Sequence, residues 1–193
     1  GYRLAIRREK TEVYENISFT IANRSLGEVV KLIDEETDKV EMYIAPRLIC
    51  FNINGYTFIS RLLEGEFVNY KKTIPSEHTQ SVTVNTRDLI NTIERVSLLI
   101  SESFSTPVRC YFNEHSAVFT SATSMGRATE TFNTELDGAA FEIGLNSRYL
   151  LEALKATDTE KIKILFNGSN AGVVILPVDS DEFTYMIMPM RLK

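Results

Sequence analysis

A seven-residue pattern occurs three times in this chain of 193 residues. It reads Arg24-x-Leu26-x-x-x-Val30, Arg87-x-Leu89-x-x-x-Ile93 and Arg148-x-Leu150-x-x-x-Leu154, the arginines being 63 and then 61 residues apart. The first and third copies are the closest: Arg-Ser-Leu-Gly-Glu-Val-Val-Lys (24–31) against Arg-Tyr-Leu-Leu-Glu-Ala-Leu-Lys (148–155). A short β-type run precedes each copy: Ile17 to Ile21, Val82 to Val84 and Phe141 to Ile143. An asparagine stands one or two residues before each arginine, at Asn23, Asn85 and Asn146. Self-similarity on this scale means one supersecondary unit used several times, which limits the possible folds more than any single motif does.

Between the three expected helices the chain reads as strands. Val40 to Ile44, Leu48 to Asn52, Tyr56 to Leu62, Val108 to Phe112, Ala117 to Thr120, Lys161 to Phe166, Val173 to Leu176 and Phe183 to Met188 are rich in β-branched and aromatic residues. Asn54-Gly55, Asn167-Gly168 and Asp137-Gly138 are tight-turn signals between them. Each unit is therefore strand, helix, then an antiparallel meander, and the fold class is α+β with helices on one face of the sheets. The polar stretch Ile74 to Gln80, centred on Pro75, is the best boundary, giving domains 1–75 and 76–193. A second break is the acidic turn Asp34 to Asp38.

Composition excludes little. Hydrophobic content of 44% and charged content of 24% are those of an ordinary globular chain. No apolar run approaches the roughly 20 residues that span a bilayer, and Gly1 to Arg8 turns charged too early for a signal peptide. Cys50 and Cys110 sit in apolar runs with no CxxC, which suits two buried thiols in a reducing, cytoplasmic compartment. Net charge is −5, yet a local basic face remains compatible with it.

The helices carry the next clue. Leu26, Val29, Val30 and Ile33 share one side of the first, with Arg24, Glu28 and Lys31 opposite. Leu89, Ile90, Ile93 and Val96 line the second, with Arg87, Asn91 and Arg95 outward. Leu150, Leu151 and Leu154 line the third, with Arg148, Glu152 and Lys155 outward. One reading is solvated faces with i,i+4 ion pairs. The other is that the helices pool their basic residues against a polyanion, binding phosphates without sequence preference.

Enzymatic constellations are lacking. His78 lies in the linker and His115 in a turn, neither with metal-ligand spacing. There is no GxGxxG, P-loop or GxSxG, and Asp179 with Asp181 reads as a hairpin tip. No catalytic residue, metal site or cofactor is expected.

The chain's end carries a resemblance. Tyr185-Met-Ile-Met-Pro-Met-Arg-Leu192 closely resembles the C-terminus of bacterial sliding clamps, the β subunit of DNA polymerase III. Gly1-Tyr2-Arg3-Leu4-Ala5 looks like that family's Gly-His-Arg-Leu-Ala strand. Leu62 to Pro75 looks like its Gly-Arg-Phe-Pro-Asp-Tyr-Arg-Arg-x-x-Pro stretch, and Phe141 to Asn146 leading into Tyr149 matches its last domain. The resemblance covers the whole chain. It implies a DNA-clamp fold, with residues 1–75 as the second half of a middle domain and 76–193 as a complete C-terminal domain. A first domain and the start of the middle one would then be absent, as in a C-terminal fragment.

The resemblance implies function without chemistry. Family clamps close head to tail into homodimeric rings around duplex DNA, helices lining the hole, and give the replicative polymerase its processivity. Arg24, Lys31, Arg87, Arg95, Arg148 and Lys155 would face DNA. Leu98, Leu99 and Ile100, within Arg95 to Glu102, would form half of a protomer contact whose partner surface is on the absent domain, so this chain alone is not expected to close that ring. A pocket between middle and last domains would take short peptides from the polymerase, the clamp loader and repair proteins. Carried over, it uses Gly1, Tyr2, Arg3, Leu4, Val68, Lys72, Thr73, Tyr149, Asn170, Gly172, Met186, Met188, Pro189, Met190 and Arg191. Tyr2, Val68, Lys72 and Gly172 depart from the family pattern, and Lys72 loses bidentate geometry. Without the resemblance, the three methionines also read as an alternation facing the core. The competing class is a β-rich interaction domain with no DNA role.

Overall fold

All three Arg-x-Leu segments are helical, and each is followed by a meander. The computed structural model describes residues 2–10, 16–100 and 106–192. They form two compact units, Thr11–Asn69 and Gly1–Lys10 with Tyr70–Lys193. The first strand, β1 (Arg3–Arg7), belongs to the larger unit. The smaller unit holds α1 (Asn23–Lys31) and a three-stranded antiparallel sheet of β2 (Val40–Ile44), β3 (Leu48–Ile53) and β4 (Tyr56–Arg61). After a 3-10 turn at Tyr70–Lys72 come β5 (Gln80–Asn85), α2 (Thr86–Ser97), β6 (Val108–Phe112), β7 (Ser116–Thr123), β8 (Gly126–Asn133) and the short β9 (Leu136–Asp137). The third run is β10 (Phe141–Leu145), α3 (Ser147–Lys155), β11 (Lys161–Phe166), β12 (Val173–Pro177) and β13 (Phe183–Ile187).

Local chemistry explains the boundaries. Asn85 and Asn146 accept the N–H groups of Asp88 and Tyr149 at 3.1 and 3.0 Å, capping α2 and α3. Asn23 stands one residue closer to its arginine, falls inside α1, and leaves Ala22 at the cap position with no side-chain bond. Asn54 and Gly55 both have positive φ, 49° and 81°, as the two-residue β3–β4 turn requires. Asp137-Gly138, expected as a hairpin turn, instead links β9 to β10, which lie in different sheets.

The larger unit is built by exchange. Its sheets run β1-β13-β12-β11-β5-β9 and β10-β6-β7-β8. Thus β5, the leading strand of the second repeat, pairs with β11 of the third, while β10 pairs with β6 of the second. Phe112, Phe141 and Phe166 meet where the exchanged strands end, with ring centroids 4.9 to 5.2 Å apart. Helices α2 and α3 pack on the inner faces through Leu89, Ile93, Val96, Leu150 and Leu154, all buried. Burial also pushes the Cys110 thiol well above its usual value, leaving it inert.

The smaller unit corrects two expectations. Ile17 to Ile21 is not a strand; only Ile21 forms a bridge, to Leu62. On α1 only Val29 is buried, whereas Leu26 and Val30 are 40% and 66% exposed, and Ile33, expected on the helix, lies beyond its end and is 44% exposed. The physical reason is that the buried apolar core here is Val29, Ile49, Phe51 and Ile53, one face of a single sheet against one helix. Among the described residues of this unit one strand–helix–meander repeat is present, and its sheet pairs with no strand of another repeat.

Candidate peptide pocket and basic helix surface

Two backbone pairings bring the chain's ends together. β1 runs antiparallel to β13 with Leu4 opposite Met186, and the Met188 N–H donates to the Tyr2 carbonyl at 2.8 Å. The Met190 N–H then donates to the Gly144 carbonyl at 2.8 Å, so the tail crosses β10 just before α3 begins. These bonds frame an open pocket of about 410 Å³ lined by Tyr2, Asn146, Tyr149, Met188, Pro189, Met190 and Arg191. All seven belong to the larger unit.

Depth follows the strand alternation. Met186 is buried and packs with Leu165, Val174, Leu4 and Ile74. Met188 lies half-buried between that cluster and the pocket, and Met190 lines the pocket. Of the three methionines, Met186 faces the core, while Met188 and Met190 line the cavity. Gly172 sits under the methionines: a Cβ there would stand 2.8 Å from the Met186 sulfur. Arg3 holds the pocket's other side. Its guanidinium lies 4.6 Å above the Tyr149 ring and pairs with Glu152, which also accepts from Arg148 at 2.8 Å. Flexible thioethers, two tyrosine rings and an exposed guanidinium make an adaptable apolar slot with one cationic edge.

Not every expected pocket residue lines it. Leu4 and Met186 support it from below, and Arg3 positions Tyr149. Lys72, Thr73 and Asn170 are exposed and are not among the lining residues. Val68 is 73% exposed and belongs to the smaller unit. Gly1 lies outside the described residues. Asn146, read from sequence only as a helix cap, lines the pocket as well. The pocket opens at the N-terminus of α3, so the capping position is also a wall.

The basic residues are exposed, but most of those resolved in pairs face acids. Lys31 pairs with Glu28 at 2.9 Å along α1. Lys155 of α3 reaches Glu94 of α2 at 2.6 Å, bridging the helices and holding the Glu94 carboxyl below its ordinary value. Arg148 shares Glu152 with Arg3. Arg95 turns aside to β8, where Glu130 accepts two bonds at 3.1 and 3.0 Å; the pairing raises the arginine and lowers the carboxyl. Arg24 and Arg87 are exposed at the starts of α1 and α2. After α2, Leu98 is 80% exposed, while Ile100 packs against the core. Leu99 is half-buried and approaches the β7–β8 turn at Gly126. Ser101 and Glu102 lie outside the described residues.

Among the described residues no three His, Cys, Asp or Glu side chains converge as a metal site. No described helix is long and apolar enough to cross a membrane.

Comparison with known proteins covers the whole chain. A family profile described as "DNA polymerase III beta subunit, C-terminal domain" matches residues 71–191, and one described as "DNA polymerase III beta subunit, central domain" matches residues 1–69. The beta sliding clamp of Staphylococcus epidermidis is 28% identical over 194 residues, spanning 99% of this chain and 52% of that protein. The structure of the DNA polymerase sliding clamp from Bacillus subtilis superposes with a TM-score of 0.91 at 26% identity, over all of this chain and 52% of the other. The beta subunit structure from Thermotoga maritima gives 0.86 at 26% identity, over all of this chain and 53% of the other. The chain spans about half the length of the curated relatives it matches.

Proposed function

Because the chain belongs to the DNA polymerase III beta subunit family, we propose that it works as part of a sliding clamp, a processivity factor that acts by binding and carries out no catalytic step. In this reading duplex DNA is held through its backbone, without sequence preference. Arg24, Lys31, Arg87, Arg148 and Lys155 are the proposed phosphate contacts. Arg95, engaged by Glu130, completes the proposed set. Leu98 to Ile100 form the proposed protomer contact of the ring, and residues 1–75 and 76–193 the two domain portions. A replicating cell's cytoplasm is the proposed location.

The observation that carries the proposal is the pocket at the start of α3. Its size suits several side chains of an extended peptide, and its methionines repack around different apolar residues. Polymerase, clamp loader and repair proteins are its proposed partners, each through a short, partly hydrophobic segment. A fluorescent peptide of that kind should bind the chain saturably. Met190→Ala should weaken it by roughly tenfold or more, as loss of a central apolar contact does. Binding that is absent, or indifferent to Met190→Ala, rules the pocket out.

A further inference from the structure

A second cavity adjoins the peptide pocket. One row of paired residues crosses the β10-β6-β7-β8 sheet in register: Thr120 of β7, Arg109 of β6 and Gly144 of β10, with Met190 of the tail bridged to Gly144. Strand alternation fixes which way the row faces. Val108, Cys110 and Phe112 are buried in the core, so Arg109 between them points outward, away from the helices. Gly144 has no side chain to fill that face, and Leu192 lies over it. The result is an open cavity of about 440 Å³, lined by Arg109, Thr120 and Ala122 of the sheet, Arg191 and Leu192 of the tail, and Thr106 ahead of β6.

Arg191 belongs to both cavities, while Met190 lines the peptide pocket and Leu192 the second one. Neighbouring strands lie about 4.8 Å apart, so two steps along the row put the Arg109 backbone about 10 Å from Met190. Three residues of an extended segment cover that distance, at about 3.3 Å each. The chemistry of the two cavities differs. Methionines and tyrosine rings dominate the first. The second brings two guanidinium groups and the hydroxyls of Thr106 and Thr120, and no acid lines it. Arg109 pairs with Glu142 at 2.6 Å, yet the two side chains stay 41% and 38% exposed. Arg191 is exposed and enters no ion pair among the described residues. A carboxylate accepts hydrogen bonds from all of these donors.

We infer that the second cavity is an acid-reading extension of the peptide pocket. The docked segment continues past Arg191, and an Asp or Glu about three residues beyond its apolar part is held between Arg191 and Arg109. This rests on the reading of the first cavity as a peptide site. It ranks partners that carry the same apolar residues by the acids flanking them. The chain's net charge of −5 works against acidic segments in general, so a preference for one has to come from the local arginines. Each partly exposed pair adds a few-fold at most and fades with salt. The extension therefore tunes affinity, and the apolar contacts supply it.

Fluorescence titration with a peptide series tests it. A short, partly hydrophobic segment is extended at its N-terminal or its C-terminal end by a three-residue spacer and either Glu-Glu or Gln-Gln. One of the two Glu-Glu peptides should bind about three- to tenfold more tightly than its Gln-Gln control at low ionic strength, and the gain should shrink in roughly 0.5 M salt. Arg109→Gln and Ala122→Glu, neither of which touches the peptide pocket, should each remove most of the gain and leave the affinity for the Gln-Gln peptide unchanged. That unchanged affinity also shows that each variant is folded. If the Gln-Gln peptides do not bind at all, the pocket reading fails and this inference with it. If they bind and Glu-Glu adds nothing, this inference alone fails. It fails too if both ends gain equally, if the gain survives either variant, or if an acidic peptide without the apolar residues binds saturably on its own.

Discussion

At Gly144 there is no space for a side chain. A Cβ there would stand 2.6 Å from the Met190 carbonyl oxygen and 2.8 Å from a Leu192 methyl. The glycine is what lets the tail cross β10 and bring Met190 to the start of α3. Gly144→Ala should therefore cost about 1–3 kcal/mol of stability, the usual range for overpacking, and should weaken peptide binding at a temperature where the fold is intact. Denaturant melts and peptide titration together check this; unchanged values for both would mean that the tail does not depend on this contact. Gly172 differs in kind, because the obstacle to a Cβ there is the flexible Met186 side chain.

Helices α2 and α3 are tied at the surface by one ion pair and beneath it by their buried leucines and isoleucines. Glu94 has its folded value lowered by Lys155. Its contribution is thus fully present above the ordinary carboxylate value of 4.5 and is lost as pH falls through the lower folded value. Glu94→Gln should lower the melting temperature slightly at about pH 7 and by less near pH 3, where the contribution is fading. An equal effect at both pH values would assign it to something other than charge. The helices themselves were readable from sequence, because the apolar spacing and the capping asparagines of α2 and α3 act locally. The first helix was misjudged for a related reason. Leu26, Val30 and Ile33 have the right period, but periodicity states which face is apolar and not whether anything covers it. The strand exchange was not readable at all, since β5 pairs with residues 76 to 86 positions away and β10 with residues 29 to 37 positions away by no local signal. The pocket's outline came from the terminal Met-Pro-Met-Arg segment, and its tie to Asn146 depended on that non-local pairing.

Across the described residues, three copies of one strand–helix–meander unit fall into a pair that exchanges strands in the larger unit and a single copy in the smaller one. The net charge of −5 and the acid partners of Lys31 in the smaller unit and of Arg95, Arg148 and Lys155 in the larger one would moderate the pull of each unit's helix faces on a polyanion. Weak, screened attraction suits the proposed clamp role, in which topology would hold the protein on DNA. The peptide pocket is the part of this account that one observation reaches most directly. The chain has five methionines, and their methyl groups report on separate places: Met42 in the smaller unit, Met125 in the β7–β8 turn, Met186 beneath the pocket, and Met188 and Met190 within it. With methionine methyls labelled with carbon-13, titration of a short, partly hydrophobic peptide should shift Met188 and Met190 saturably and leave Met42 and Met125 in place. Signals that do not move, or movement confined to Met42 and Met125, would contradict a peptide-docking role for this pocket.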